Sequence, residues 1–278
     1  MSVVFDHLMV MVADEAAAAQ EFSQAGFTVT PRSELPGLAN RIICFPSSAS
    51  HAACFVELLA VERPEEVPPR IRSFVGSMLG PVAIVLAVPN LTALHRRLSE
   101  NNISVFGPVE IRRQWTLPTG ERLEVALDIL IGEDNSLPFN WAAVQHHTVE
   151  HYQRTAFMSH PNCYGDLRGV LISVEDPQAV AKKMETLFGS AYRSFGAGAV
   201  VSMQNAQLLL LPGSPDGKSV NPLKPLVIGA IVRRESDCID LDDLMPELTS
   251  PSGIERCFEV LELVGAKIFF AKGGNAIR

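Results

Sequence analysis

The sequence predicts an α+β protein built from repeated strand–helix–strand–strand–strand units, and three observations predict it. An almost wholly apolar strand, Val3 to Val12, runs into Asp14 and the helix-forming stretch Glu15 to Ala25. The same order returns at Val82 to Val88, with Pro89-Asn90 and the helix Leu91 to Glu100, and again at Arg168 to Val174, with Asp176-Pro177 and the helix Gln178 to Phe188. Each of these helices is followed by short β-rich segments. Repeats of roughly 60 to 75 residues have to be recognised before a fold is assigned.

Each element has a local reason. A short apolar run suits a strand buried on both faces. Asp14 and Asp176 are helix caps by type, because a carboxylate accepts from the free amides of the first turn. Pro177 stands where a proline opens a helix, and Gly26 and Gly189 stand where a left-handed residue closes one. In the first unit, Phe27 to Thr30, Asn40 to Phe45 and Cys54 to Val61 read as strands, with Pro31 to Ala39 as a loop. Residues 62–79 are mixed, with a short helix expected over Arg70 to Leu79. The second unit continues with Ile103 to Phe106, a hairpin of Val109 to Leu117 with Arg122 to Ile131, and a strand from Leu137 to Val144. Gln145 to Tyr164 is polar and histidine-rich and reads as a solvated linker. Beyond it, strands are expected over Tyr192 to Phe195, Ala199 to Gln204 and Ala206 to Leu211. A looser fourth copy follows, with strands over Leu226 to Arg233, Cys257 to Leu263 and Lys267 to Phe270. The expected organisation is thus a first domain over 1–145, a linker over 146–164 and a second, degenerate domain over 165–278.

Bulk properties exclude several classes. With 278 residues and 47% apolar side chains, the chain can bury a sizeable core. A formal net charge of −8 argues against non-specific nucleic-acid binding. No apolar run reaches membrane-spanning length, and the N-terminus lacks the pattern of a signal peptide. Five cysteines with no CxxC pair suit free thiols in a reducing cytoplasm. No Walker loop, dinucleotide fingerprint, nucleophile elbow or HExxH motif is present.

The opening motif is more specific. Asp6-His7, Asp14, Ala16 to Ala19, Gly26-Phe27, Thr28-Val-Thr-Pro-Arg32, Pro36-Gly37, Ala39-Asn40-Arg41 and Val56-Glu57-Leu58-Leu59 resemble the glyoxalase-like proteins of the vicinal oxygen chelate superfamily. The resemblance resumes at His160-Pro161-Asn162. It implies βαβββ modules paired into incomplete barrels of the glyoxalase, bleomycin-resistance and dioxygenase type, each around a cleft. It further implies that the first strand of a module offers a metal-binding histidine and the last a glutamate, the places held here by His7 and Glu57. An imidazole with a carboxylate suits a borderline divalent ion such as Zn, Mn, Fe or Ni, which acts as a Lewis acid on paired substrate oxygens.

The ligand set is incomplete. Alignment by the helix caps puts Ala83 and Gly169 where His7 stands in the first unit, and Phe139 to Ala142 brings no carboxylate. Two readings therefore stay open. One is a metal-assisted lyase, isomerase or dioxygenase acting on a small oxygenated molecule in the N-terminal cleft. The other is a metal-free protein that binds or sequesters a small molecule there. Asn40, Arg41, Asn140 and Trp141 are the candidate substrate-binding residues. Arg41 suits a substrate carboxylate or an acidic neighbour equally, and Trp141 suits stacking or core packing. His147 is a candidate third ligand from the linker. His7 and Glu57 also suit a simple buried pair. The C-terminal half, with Gly169 and the apolar Leu208 to Leu211, is expected to serve structure or homodimer contacts.

Overall fold

The computed structural model describes residues 3–133, 136–213, 227–234, 248, 258–263 and 266–271. The acidic segment from Asp240, up to residue 247, lies outside them.

The first unit comprises β1 (Val4–Met11), α1 (Glu15–Gln24), β2 (Ser33–Leu35), β3 (Leu38–Cys44) and β4 (Phe55–Val61). After the short α2 (Pro69–Val75), the second comprises β5 (Gly80–Ala87), α3 (Leu91–Glu100), β6 (Val105–Thr116), β7 (Arg122–Gly132) and β8 (Asn140–His146). These strands form one sheet in the order β2-β3-β4-β1-β5-β8-β7-β6. β1 runs parallel to β4 and antiparallel to β5, and β5 runs parallel to β8. The sheet curls until its edge strands β2 and β6 meet, which makes it nearly a barrel.

A 3₁₀ turn (Val149–His151) and α4 (Thr155–Met158) lead to the second sheet. It holds β9 (Tyr164–Val174), β10 (Ala191–Phe195), β11 (Gly198–Ser202), β12 (Gln207–Pro212), β13 (Val227–Arg234), β14 (Phe258–Leu263) and β15 (Ala266–Ala271), with α5 (Pro177–Phe188) after β9. Its order is β10-β11-β12-β9-β13-β15-β14. The parallel–antiparallel–parallel centre of the first sheet is repeated here by β12-β9-β13-β15.

The caps form as their chemistry predicts. Asp14 accepts from the amides of Ala16 and Ala17, Asn90 from Ala93, and Asp176 from Ala179. The helices turn their apolar stripes to one shared core. Phe22 of α1, Leu94 and Leu98 of α3, and Met184 and Phe188 of α5 join Phe5, Leu8, Val10 and Trp141 of the first sheet and Val170, Ile172 and Leu210 of the second. The other face of the first sheet lines the barrel. Met9, Met11, Leu59 and Val85 are plugged at one end by Phe74 and Val75 of α2. Ile42, Phe55, Trp115 and Val125 are plugged at the other by Tyr152 and Phe157.

Three segments depart from expectation. Phe27 to Thr30 is not a strand, because its hydrogen bonds go elsewhere: the Thr28 amide donates to His160 Nδ1 (3.0 Å) and its hydroxyl to the Ser159 carbonyl (2.5 Å). The edge strand falls instead on Ser33–Leu35 in the expected loop, reversed by Pro36-Gly37 with Gly37 at φ +72°. Ile103 to Phe106 and Val109 to Leu117 fuse into the single β6 across an irregularity at 107–108. The expected solvated linker is packed down. Tyr152, Phe157 and His160 are buried, and Asn162 bonds back to the carbonyls of Gly26 and Ala25.

His160 makes this packing sensitive to pH. Its Nδ1 accepts from Thr28 while its Nε2–H donates to the Cys44 carbonyl at 3.0 Å, so only the neutral ring fits. Burial lowers its pKa against the opposing pull of that carbonyl. With a folded pKa below the unfolded one near ~6.5, this contribution is complete above that pH and declines as pH falls through the interval. Thermal melting followed from pH 7.5 downward is expected to show a loss below about 6.5 that is smaller in His160→Gln. An unchanged acid slope in the variant rejects the account.

Gly169 explains why the second sheet lacks a histidine at that place. A Cβ there would lie 2.3 Å from the Gln207 carbonyl oxygen of β12. Gly169→Ala is therefore expected to lower stability by about 1–3 kcal/mol through backbone displacement, read in urea unfolding. A neutral result would show that the two strands separate freely.

Candidate functional site

Successive strand residues normally face opposite sides, yet Asp6 and His7 face the same one. The pairing of β1 with β5 slips between Phe5 and His7, so Asp6 is the extra residue of a bulge. A bulge bends a strand and re-aims its side chains. Phe5 and Leu8 consequently share the helix-side core, while Asp6 and His7 enter the barrel.

Asp6 is fully buried and collects three donors. His7 Nδ1 lies 2.7 Å from Oδ1, His146 Nε2 lies 2.8 Å from Oδ2, and the Ala53 amide donates to Oδ2 at 2.9 Å. Burial by itself would raise the pKa of this carboxyl, but the charge and hydrogen bonds of His146 and His7 outweigh it and hold the pKa well below the usual range.

His7 stacks on Phe55 with ring centroids 4.2 Å apart, and Phe55 stacks on Tyr152 at 5.3 Å. The far nitrogen of His7, Nε2, lies 3.4 Å from Glu57 Oε2. Burial opposes the imidazolium, yet the hydrogen bonds of Asp6 and Glu57 raise its pKa overall. The other oxygen of Glu57 accepts from the Asn40 amide and lies 3.4 Å from Arg113 Nη1. Ser33 donates to Asn40 in turn. Burial would raise the Glu57 pKa, but His7, Arg113 and Asn40 together bring it down to about 2. Arg113 Nη2 donates to the Tyr152 hydroxyl at 2.9 Å. Burial lifts the Tyr152 pKa to about 12 despite Arg113.

The result is a polar belt between the two apolar plugs of the barrel. It joins two carboxylates to two cationic groups, all nearly dry, as buried charges require.

The structure brings together some of the sequence candidates. His7, Glu57 and Asn40 share the belt. Arg41 does not, because on β3 it faces away from Asn40; it binds Glu15 of α1 at 2.5 Å. Trp141 also faces the helices, packing on Phe188 and donating to Ser136 at 3.2 Å. Asn140 is on the barrel side but at the α2 end, where it donates to the Phe74 carbonyl. His147 points outward to Asp128 at 3.1 Å. Its neighbour His146 is the one that enters.

Asp6, Ser33, Arg113, His146 and Tyr152 were missed. For two of them a signal existed. Ile111, Arg113 and Trp115 share one face of β6, as do Ala142, Val144 and His146 on β8, so period-two reading from the apolar members reaches both polar ones.

The donors fit a divalent ion poorly. His7 Nε2 and Glu57 supply a pair, but the other Glu57 oxygen is held by Asn40 and by the fixed charge of Arg113. No group of three or more metal-ligating side chains is found among the described residues.

Comparison with known proteins agrees with the architecture. A family model described as a glyoxalase-like domain matches residues 5–188. The chain belongs to that family, within the vicinal oxygen chelate superfamily. A hypothetical protein from Staphylococcus aureus superposes with a TM-score of 0.67 at 11% identity, covering 96% of this chain and 98% of that one. A mutant of 4-hydroxymandelate synthase from Streptomyces coelicolor gives 0.52 at 10% identity, covering 94% of this chain and 78% of that one. At such identities the likeness is one of fold. No curated protein matches the sequence.

The raised pKa of His7 fixes the sign of a pH effect. Its stabilisation is complete below the unfolded histidine pKa of ~6.5 and is lost as pH rises through the folded value. Melting curves from pH 6 to pH 9 are expected to fall in the wild type and to flatten in His7→Gln, opposite in sign to the His160 effect. A slope that survives His7→Gln unchanged would assign it to another group.

Proposed function

We propose that this chain is a small-molecule protein of the glyoxalase-like family that takes a compact oxygenated ligand into the first barrel and holds it on the polar belt without a divalent ion. One observation carries the reading. Arg113 is buried beside Glu57, so the carboxylate that would serve as a metal ligand already has a permanent cation. Two positive charges on one carboxylate repel in a medium of low dielectric. The belt's own chemistry is hydrogen-bond recognition. Glu57, held at a low pKa by its donors, is a weak base, and His7 is a donor at both nitrogens while protonated.

A second reading, a metal-assisted lyase, isomerase or dioxygenase, has one observation in its favour. Asp6 bonds His7 Nδ1 and leaves Nε2 directed at Glu57, and a metal-bound imidazole is commonly oriented by such a second carboxylate.

Metal titration separates the two. Under the first reading, Zn, Mn, Fe or Ni leaves the melting temperature of the purified protein unchanged, and no stoichiometric metal co-purifies. Under the second, an ion at about 100 times its Kd adds about 2.7 kcal/mol, and the gain disappears in His7→Ala and Glu57→Gln. A gain of that kind would replace the first reading by the second.

A further inference from the structure

On the barrel reading proposed above, a ligand reaches the belt only when one end of the barrel opens, and the two ends are closed in different ways. The plug formed by the 3₁₀ turn and α4 is tied down along its length. Tyr152 accepts from Arg113 at 2.9 Å, Gln153 donates to the Ala52 carbonyl at 3.1 Å, and Arg154 pairs with Glu121 at 2.8 Å. Behind them, His160 and Asn162 bond into the first unit.

The plug formed by α2 is tied at few points. Among the described residues, one hydrogen bond reaches its backbone from another element, from the Asn140 side chain to the Phe74 carbonyl at 2.9 Å. Its other tie is Arg70, which pairs with Glu133 and lies 5.9 Å over the Phe106 ring. Arg70 is mostly exposed, and an ion pair so open to solvent holds weakly. Of the seven side chains of α2, Phe74 and Val75 are the buried ones.

Both ends of α2 are able to bend. Val67, just before it, is buried close to Gly37. Pro68 and Pro69 follow, and neither has an N–H to fasten the helix start. At the other end Gly76 and Gly80 take φ of +68° and +100°, and a Cβ at Gly76 would meet nothing within 4 Å. Between these glycines Met78 and Leu79 are 44% and 61% exposed, so the chain is not packed down again until Gly80. Domain and lid hinges are of this kind, a few element-terminal residues that absorb a change of φ and ψ.

The strand register sets what such a movement uncovers. β1 and β4 pair Met11 with Leu59, Met9 with Glu57 and His7 with Phe55. From the α2 end, the first layer is therefore Met11 with Leu59, and the next holds Glu57 of the belt. We propose that α2 is the door of the first barrel, swinging on residues 68–69 and 76–80 to admit a small ligand to the Glu57 side of the belt, with Asn140 as its latch. Asn140, expected from the sequence to touch the ligand, acts instead on its entry.

Hydrogen peroxide, which converts a methionine thioether to the sulfoxide, tests the door on the full chain, with each methionine followed by peptide mass spectrometry. Met78 is exposed and reports the unhindered reaction, while Met184, fully buried under the helices, reports global unfolding. Met9 and Met11 are expected to oxidise more slowly than Met78 and faster than Met184. Loss of one neutral hydrogen bond shifts an opening equilibrium about fivefold. Asn140→Ala, and Asn140→Asp, which keeps the size but loses the donor, are expected to speed Met9 and Met11 by about that factor and to leave Met184 unchanged. Gln153→Ala, which loosens the opposite plug, is expected to change none of the three.

Met9 and Met11 that respond to Gln153→Ala as strongly as to the Asn140 variants, or in their place, overturn the door at α2 and leave the barrel reading intact. So do rates above that of Met184 that neither set of variants alters. Met9 and Met11 that oxidise only in step with Met184 in every variant show that neither end opens, which overturns the door together with the barrel reading.

Discussion

The bulge at Asp6 is the constraint on which the polar belt depends. Without it, Asp6 and His7 would face opposite sides of β1, one among the helices and one in the barrel. With it, a single carboxylate gathers two imidazoles and a backbone amide from three parts of the first sheet's surroundings. A bulge leaves backbone groups to be satisfied, and here the second half of the chain supplies part of the answer. The side chain of Asn205, between β11 and β12, accepts from the Phe5 amide at 3.1 Å and donates to the Phe5 carbonyl at 2.7 Å. The C-terminal sheet thus holds the strand geometry next to the site while, among the described residues, adding no side chain to the belt itself.

The belt is also a balance of charge. A buried carboxylate is tolerable only with partners, and Glu57 has three: an imidazole, a guanidinium and an amide. Arg113 in turn divides itself between Glu57 and Tyr152, and Tyr152 stacks through Phe55 onto His7. A change at any one of these residues reaches the others through contacts of a few ångströms. The segment that carries Tyr152 therefore belongs functionally to the first barrel, although it lies between the sheets in sequence.

Much of the fold was legible because its signals are local. Caps at Asp14, Asn90 and Asp176 need only the residues around them, and the three helices start where those residues say. The repeat was legible for the same reason. What was not legible depended on partners distant in the chain. Phe27 to Thr30 has strand-forming residues but donates to Ser159 and His160, more than 130 positions away. The linker looked solvated because its composition is polar, yet its few aromatic residues are the ones that plug the barrel. Of the candidate site residues, His7, Glu57 and Asn40 lie together in the belt because their strand positions set their facing. Arg41 and Trp141 were misplaced by treating neighbours on a strand as sharing a face, which the period of two forbids. Arg113 and His146 were within reach of that same rule.

The two sheets show how one architecture gives different interiors. At the place of His7 the second sheet has Gly169, and the close approach of the Gln207 carbonyl excludes any side chain there. Opposite it, Leu208 to Leu211 leaves no buried carboxylate to be matched. Strand β9 carries the equivalent bulge, pairing Leu167 and Gly169 but skipping Arg168; the first sheet differs in having side chains, Asp6 and His7, to turn into the barrel at both places. Burying Asp6 in this way would be unfavourable alone, and it is the second imidazole, His146, that completes its coordination from β8. The histidine at the end of the second unit thus adds to the two partners, His7 and the Ala53 amide, that the first unit gives Asp6. Pairing two modules in one curled sheet is what allows the site to exist.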